Sequence, residues 1–239
     1  SESCLEEADT LRLDVQGALA QGYADLRGRF TLTVDPADAR AFDDALSLER
    51  ADERGDACEI DGSSKAGVFL EGAGWEGAGR PAWRLGVHIA DVSHYVRYRS
   101  PLDKEAFARG TSVYFPDRVL PMLPKALSNG ICSLNEGEDR LALSCLMRVD
   151  KKGAVKDREI VGSVIRSAHR MTYTEVQKIL DGDGETAEKY ADVKDMVFLF
   201  AELTGILKTM REKRGSIELD VKEAKIMLDK NGDIVIPDY

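Results

Sequence analysis

The chain has 239 residues, a net charge of −10 and an apolar share of 43%, the bulk profile of an ordinary globular protein with one large or two small domains. No apolar run approaches the roughly 18–20 residues needed to span a bilayer, so no membrane segment is expected. The acidic balance argues against gripping nucleic acid by a broad basic surface, but it leaves open a site that holds cations.

The N-terminus, Ser-Glu-Ser-Cys-Leu-Glu-Glu, lacks the basic and apolar regions of a secretory signal. Cys4, Cys58, Cys132 and Cys145 are scattered, with no Cys-x-x-Cys pair. Cys132 and Cys145 sit among apolar residues, so buried free thiols in a reducing cytoplasm are expected.

In chain order, Leu5, Ala8, Leu11, Val15 and Leu19 recur at three- and four-residue steps, predicting one helix over 2–22 with Gly22 as its stop. Phe30–Val34 alternates as a strand, and Ala45–Leu48 reads as the strand after it. Residues 51–82, rich in Gly, Ser and charge, read as a long surface insertion. Trp83–Ile89 is the next strand. Ser100 as N-cap, Pro101 at the first helical position and Gly110 past the end frame a short helix. Val113–Phe115 and Leu141–Val149 read as strands, and Lys151-Lys152-Gly153 as a hairpin turn into a strand over 155–167. Thr172-Tyr-Thr-Glu175 has the spacing of a capping box, starting a helix to about Leu180. The longest periodic stretch, about 186–213, predicts a long helix with a wide apolar face that includes Phe198, Leu203, Ile206 and Met210. A strand at Ser216–Asp220 and a hairpin near Asn231-Gly232 complete the reading. Strands first and long helices later predict an α+β fold, a mixed or antiparallel sheet core with packed helices.

The sharpest feature is Val34-Asp35-Pro36-Ala37-Asp38-Ala39-Arg40-Ala41-Phe42-Asp43-Asp44-Ala45, four carboxylates within ten residues directly after a strand. Hard oxygen donors there suit Mg²⁺ or Mn²⁺, and two such ions about 3.5–4 Å apart can serve phosphodiester hydrolysis. The plain alternative is an Asx-type turn. An EF-hand loop beginning at Asp35 fails, since Arg40 falls where Gly is required and Leu46 where the bidentate Glu belongs.

That acidic run resembles the opening motif of the RNB domain, the catalytic domain of the ribonuclease II/ribonuclease R family. Three further stretches match in the family's order: Gly86-Val-His-Ile-Ala-Asp-Val-Ser-His-Tyr-Val96, Gly110-Thr-Ser-Val-Tyr-Phe-Pro-Asp-Arg118 and Pro121-Met-Leu-Pro-Lys-Ala-Leu-Ser-Asn-Gly-Ile-Cys-Ser-Leu-Asn135. Asp139-Arg-Leu-Ala-Leu-Ser-Cys145 continues the series. The resemblance divides the chain into a helical linker at 1–28 and the N-terminal portion of an RNB-type catalytic domain at 29–239. It implies a Mg²⁺-dependent (or Mn²⁺-dependent) hydrolytic 3′→5′ exoribonuclease that degrades single-stranded RNA to nucleoside 5′-monophosphates. It also implies flanking cold-shock-type and S1-type modules in a full protein. Asp35, Asp43 and Asp44 match three of the family's four metal-site acids, Asp43 being tied most closely to the chemical step. The fourth stands two residues before Asp43, where this chain has Ala41; Asp38 matches none of them. Loss of that carboxylate, by design or by nature, implies weak or absent hydrolysis, and a non-catalytic RNA-binding scaffold is the alternative. Tyr114 matches the tyrosine that packs against the 3′-terminal nucleotide. An aromatic expected after the long helix falls at Leu219. His88 reads as a satisfied core histidine, Cys145 as core, and the Lys208, Arg211, Lys213, Arg214 cluster as cations at a helix C-terminus.

Overall fold

The computed structural model describes residues 1–51, 81–219, 226–229 and 234–235. The predicted insertion at 51–82 therefore falls almost wholly outside the described residues. Seven helices are named here: α1 (Glu2–Thr10), α2 (Val15–Ala20), α3 (Val92–Tyr95), α4 (Pro101–Arg109), α5 (Tyr173–Leu180), α6 (Gly184–Lys189) and α7 (Lys194–Lys213). Ten strands accompany them: β1 (Ala24–Asp25), β2 (Thr31–Asp35), β3 (Asp44–Arg50), β4 (Pro81–Ala90), β5 (Val113–Tyr114), β6 (Val119–Leu120), β7 (Asp139–Asp150), β8 (Val155–Thr172), β9 (Met227–Leu228) and β10 (Ile234–Val235).

The sheet order β1-β8-β2-β3-β4-β7 carries an additional β7–β8 pairing. Those pairings join β8, β2, β3, β4 and β7 into a closed ring, a small barrel. β2 runs parallel to β8, with Thr33 opposite Arg170 and Asp35 opposite Thr172. The other ring pairings are antiparallel. The α+β class with a mixed sheet holds.

Alternation along the strands separates two environments. Leu32, Leu48, Trp83, Val149 and Met171 pack outward on Ile179, Tyr190, Val193, Met196, Val197 and Leu203 of the α5–α7 layer. Ala45, Ala90, Ala142, Leu146 and Ile165 form the opposite cluster with Phe42 and Leu134. Small side chains suit so narrow a ring. At Gly86 a Cβ would lie 2.3 Å from Ser47 Oγ and 2.7 Å from His88 Nε2, so only glycine fits there. A third cluster joins Cys4, Ala8 and Ala18 of the N-terminal helices to Tyr95, Leu102, Leu141 and Val164.

Three expectations are corrected. The predicted 2–22 helix is two helices, because Asp14 turns the chain and caps α2 through Gly17 N–H at 2.8 Å. The 186–213 helix likewise breaks at Tyr190–Val193, where the C-cap of α6 meets a fresh start at Lys194. Residues 216–219 form no strand. The caps at Ser100 and Thr172 are as expected, the latter a full capping box with Glu175. β9 pairs with β10 antiparallel around the predicted hairpin.

Candidate active site

β2 ends at Asp35 and β3 begins at Asp44, so the eight-residue connection between them crosses one rim of the barrel. Thr31, Thr33 and Asp35 share a strand face. The first two are buried, while Asp35 is half-buried where that face reaches the rim. Asp35 Oδ2 is buried and accepts no hydrogen bond. Such an oxygen calls for a partner, a proton or a cation.

Burial and the charge of Asp44 raise the Asp35 carboxyl above its ordinary range, with Asp43 adding to the rise and the neighbouring Thr33 hydroxyl and Arg170 opposing it. Asp43 and Asp44 are themselves exposed, and partial desolvation of its carboxyl together with the charge of Asp44 raises Asp43. Three like charges are thus brought to one rim, and a bound cation would relieve their repulsion. Among the described residues, however, no group of three or more His, Cys, Asp or Glu side chains is gathered closely enough to enclose an ion. Ala41 lies half-buried between Arg40 and Phe42, and Asp38 is exposed.

The loop is fastened from two sides by residues that spacing arguments did not identify. Phe42 N–H donates to Ser133 Oγ at 3.1 Å, and Phe42 O accepts from Leu134 N–H at 2.8 Å. Asp43 O accepts from Ala90 N–H at 2.9 Å, which sets the entry to β3. Arg140 Nε in turn donates to Ser133 O at 2.7 Å. On the other side, Arg170 of β8 donates to Ala37 O at 3.0 Å and lies 4.9 Å from the centre of the Phe42 ring. The conspicuous Ser133-Leu134-Asn135 motif thus acts here through backbone placement.

The motif after β4 is similarly structural. Asp91 accepts from Tyr23 Oη and Ser93 Oγ, both at 2.7 Å, and caps α3 through His94 N–H at 3.0 Å. Although its burial works the other way, these bonds hold the Asp91 carboxyl below its ordinary range. His88 is wholly buried between Ser47 Oγ (3.0 Å) and Ser144 Oγ (2.7 Å). It is a satisfied core histidine, as read.

Tyr114 stands apart from the ring, on the two-stranded ribbon of β5 and β6, with 77% of its surface exposed. It fills no core. Leu219 is also exposed, and Lys208 pairs with Glu218 at 2.7 Å. Cys4 and Cys132 are buried free thiols, while Cys145 is only half-buried. No helix among the described residues is long and apolar enough to cross a membrane.

Against known proteins, the RNB domain matches residues 23–238. Ribonuclease R 1 of Lactococcus lactis is 42% identical over 228 residues, 95% of this chain and 25% of that protein. Ribonuclease R of Thermotoga maritima is 41% identical over 235 residues, 98% of this chain and 29% of that protein. The chain therefore spans about a quarter to a third of the curated relatives it matches. Mycoplasma genitalium RNase R in complex with double-stranded RNA superposes with a TM-score of 0.76 at 26% identity, over 98% of this chain and 37% of that one. Its complex with ribose methylated single-stranded RNA gives a TM-score of 0.77 at 27% identity, over 99% of this chain and 33% of that one. Yeast Ssd1, described as a pseudonuclease, shares the fold at 16% identity and a TM-score of 0.54, over 72% of this chain and 18% of that one.

Proposed function

The chain belongs to the RNB-domain family, and from that premise we propose that it is the N-terminal part of the catalytic domain of a 3′→5′ exoribonuclease. Its substrate is single-stranded RNA, hydrolysed to nucleoside 5′-monophosphates in a reducing cytoplasm. Asp35, Asp43 and Asp44 are the residues that would hold Mg²⁺ (or Mn²⁺). The ion, when bound, lowers the pKa of a water and offsets charge on the phosphate. The observation that carries this reading is the buried Asp35 Oδ2, with no hydrogen-bond partner of good geometry, near the charges of Asp43 and Asp44.

In this reading the chain's own residues supply binding and aim. Asp35 presents its free oxygen from the end of β2, and the fastened loop points Asp43 and Asp44 from the start of β3. Tyr114, its ring open to solvent, stacks on the terminal base without regard to sequence. Ala41 withholds a fourth carboxylate, and activity is accordingly weak or absent. Modules of the cold-shock and S1 types in the full protein would add basic grooves.

A second reading, an RNA-binding scaffold that has kept the fold and lost the chemistry, is favoured by Ala41 and by the absence of a closed three-acid group among the described residues. Ala41→Asp in the full-length protein separates the two. With Mg²⁺ and 5′-labelled single-stranded RNA, a ladder shortening one nucleotide at a time supports the enzyme. RNA left bound and intact supports the scaffold.

A further inference from the structure

We propose that Arg170 is the positioning residue of the acidic loop, a latch that sets where Asp43 and Asp44 aim; the metal half of this proposal rests on the reading above. Arg170 lies on β8 opposite Thr33, two residues before the strand ends beside Asp35. Its Nη2 donates to Ala37 O at 3.0 Å and reaches Ala39 O at 3.4 Å. Its guanidinium carbon lies 4.9 Å from the centre of the Phe42 ring. One side chain thus touches three residues of the 36–43 connection, spanning both sides of Ala41.

The strand that carries the guanidinium is itself held from behind, while the buried Nε of Arg170 has no hydrogen-bond partner. The Arg170 backbone N–H donates to Glu136 Oε2 at 2.7 Å, and Gly137 N–H donates to Ser167 O at 2.8 Å. The latch therefore hangs on a strand pinned by the segment just after Ser133-Leu134-Asn135, which grips Phe42 from the other side. Phe42 sits between them, anchored through its backbone by one and through its ring by the other. Arg170 also places a positive charge near Asp35.

The task suits arginine in particular. A planar fork can donate to carbonyls in its plane while its face covers an aromatic ring. Lysine keeps the charge but offers no flat face and no fixed fork. A displaced Phe42 would move Asp43 directly, since the two are adjacent in the chain.

The test uses the whole chain with Arg170→Gln and Arg170→Lys. Amide hydrogen exchange is followed residue by residue, and Mn²⁺ uptake by paramagnetic resonance. In Arg170→Gln the amides of residues 37–43 should exchange about tenfold faster or more, while those of β7 and α5 keep their rates. Mn²⁺ affinity should fall about 10- to 100-fold, the usual effect of losing a residue that orients metal ligands. Arg170→Lys should recover at most part of both. Unchanged exchange across 37–43 overturns the latch. So does a uniform acceleration through β8 and α5, which would make Arg170 a general stabiliser, or full recovery by lysine, which would make charge sufficient. If the unsubstituted chain takes up no Mn²⁺, the metal half is overturned, and the exchange rates alone still judge the latch.

Discussion

Inside the barrel His88 is wholly buried, yet each of its ring nitrogens faces a serine hydroxyl, and Ser144 passes the chain on to Ser163 at 2.6 Å. At the rim Asp35 is only half-buried, yet one of its oxygens is sealed from water with no partner. Burial drives the His88 imidazole down to about 4, keeping it neutral, whereas burial and Asp44 push the Asp35 carboxyl up. Both regions are polar groups in low-dielectric surroundings. One has been completed by the fold; the other has been left open at a cost in stability, the feature on which the proposed ligand site rests.

Substitutions should therefore act differently in the two regions. The largest effect is expected at the rim. In a full-length protein carrying Ala41→Asp, Asp43→Asn should lower kcat by about 10²- to 10³-fold while leaving the melting temperature unchanged or higher, as single-turnover kinetics and calorimetry would read. A large loss of stability would break the contrast.

In the interior, His88→Ala should do the reverse. It leaves Ser47 and Ser144 short of a partner, at about 1–3 kcal/mol for each hydroxyl left unpaired, read by urea denaturation. Mn²⁺ uptake should stay unchanged.

The pH dependence follows with opposite signs. His88 has a depressed folded pKa, so its contribution is complete above about 6.5 and is lost as pH falls towards about 4. The slope for one such group is at most about 1.4 kcal/mol per pH unit, and His88→Ala should flatten that limb. Asp35 and Asp43 have raised pKa values, so in the folded chain they hold protons that the unfolded chain has already released. They favour folding as pH falls through their folded values and oppose it above. Asp35→Asn should accordingly raise stability at neutral pH.

Smaller effects sharpen the picture from outside both regions. Tyr114→Ala should weaken single-stranded RNA binding by about 1–3 kcal/mol without moving the melting temperature. Thr172→Ala, which removes the α5 cap, should cost about 1 kcal/mol of stability.

Much of this was legible in the sequence. Alternation in Phe30–Val34 and the apolar run of Leu141–Val149 mark strands from their residues alone, and the Thr172–Glu175 spacing marks a cap because the hydrogen bonds are local. The four acids between Asp35 and Asp44 announce themselves by density. Ring closure was not legible, since it depends on β2 meeting β8 across some 135 residues, and alternation does not name a strand's neighbour. The helix breaks at Leu11–Asp14 and Tyr190–Val193 were hidden because the apolar spacing carries across them. Ser133 and Arg170 act on backbone groups of distant residues, which leaves no spacing to read; an arginine in the strand opposite the acidic run was the only signal. Tyr114 could be placed only by its motif, because an exposed aromatic and a core aromatic look alike in a β-rich run.

Counting bound Mn²⁺ by paramagnetic resonance, on the chain as it stands and with Ala41→Asp, tests the central claim most directly. Saturable binding that tightens with Ala41→Asp and disappears with either Asp35→Asn or Asp43→Asn is the expected result. Binding that survives both asparagine substitutions, or no saturable binding even with Asp at position 41, would contradict the shared site at the barrel rim.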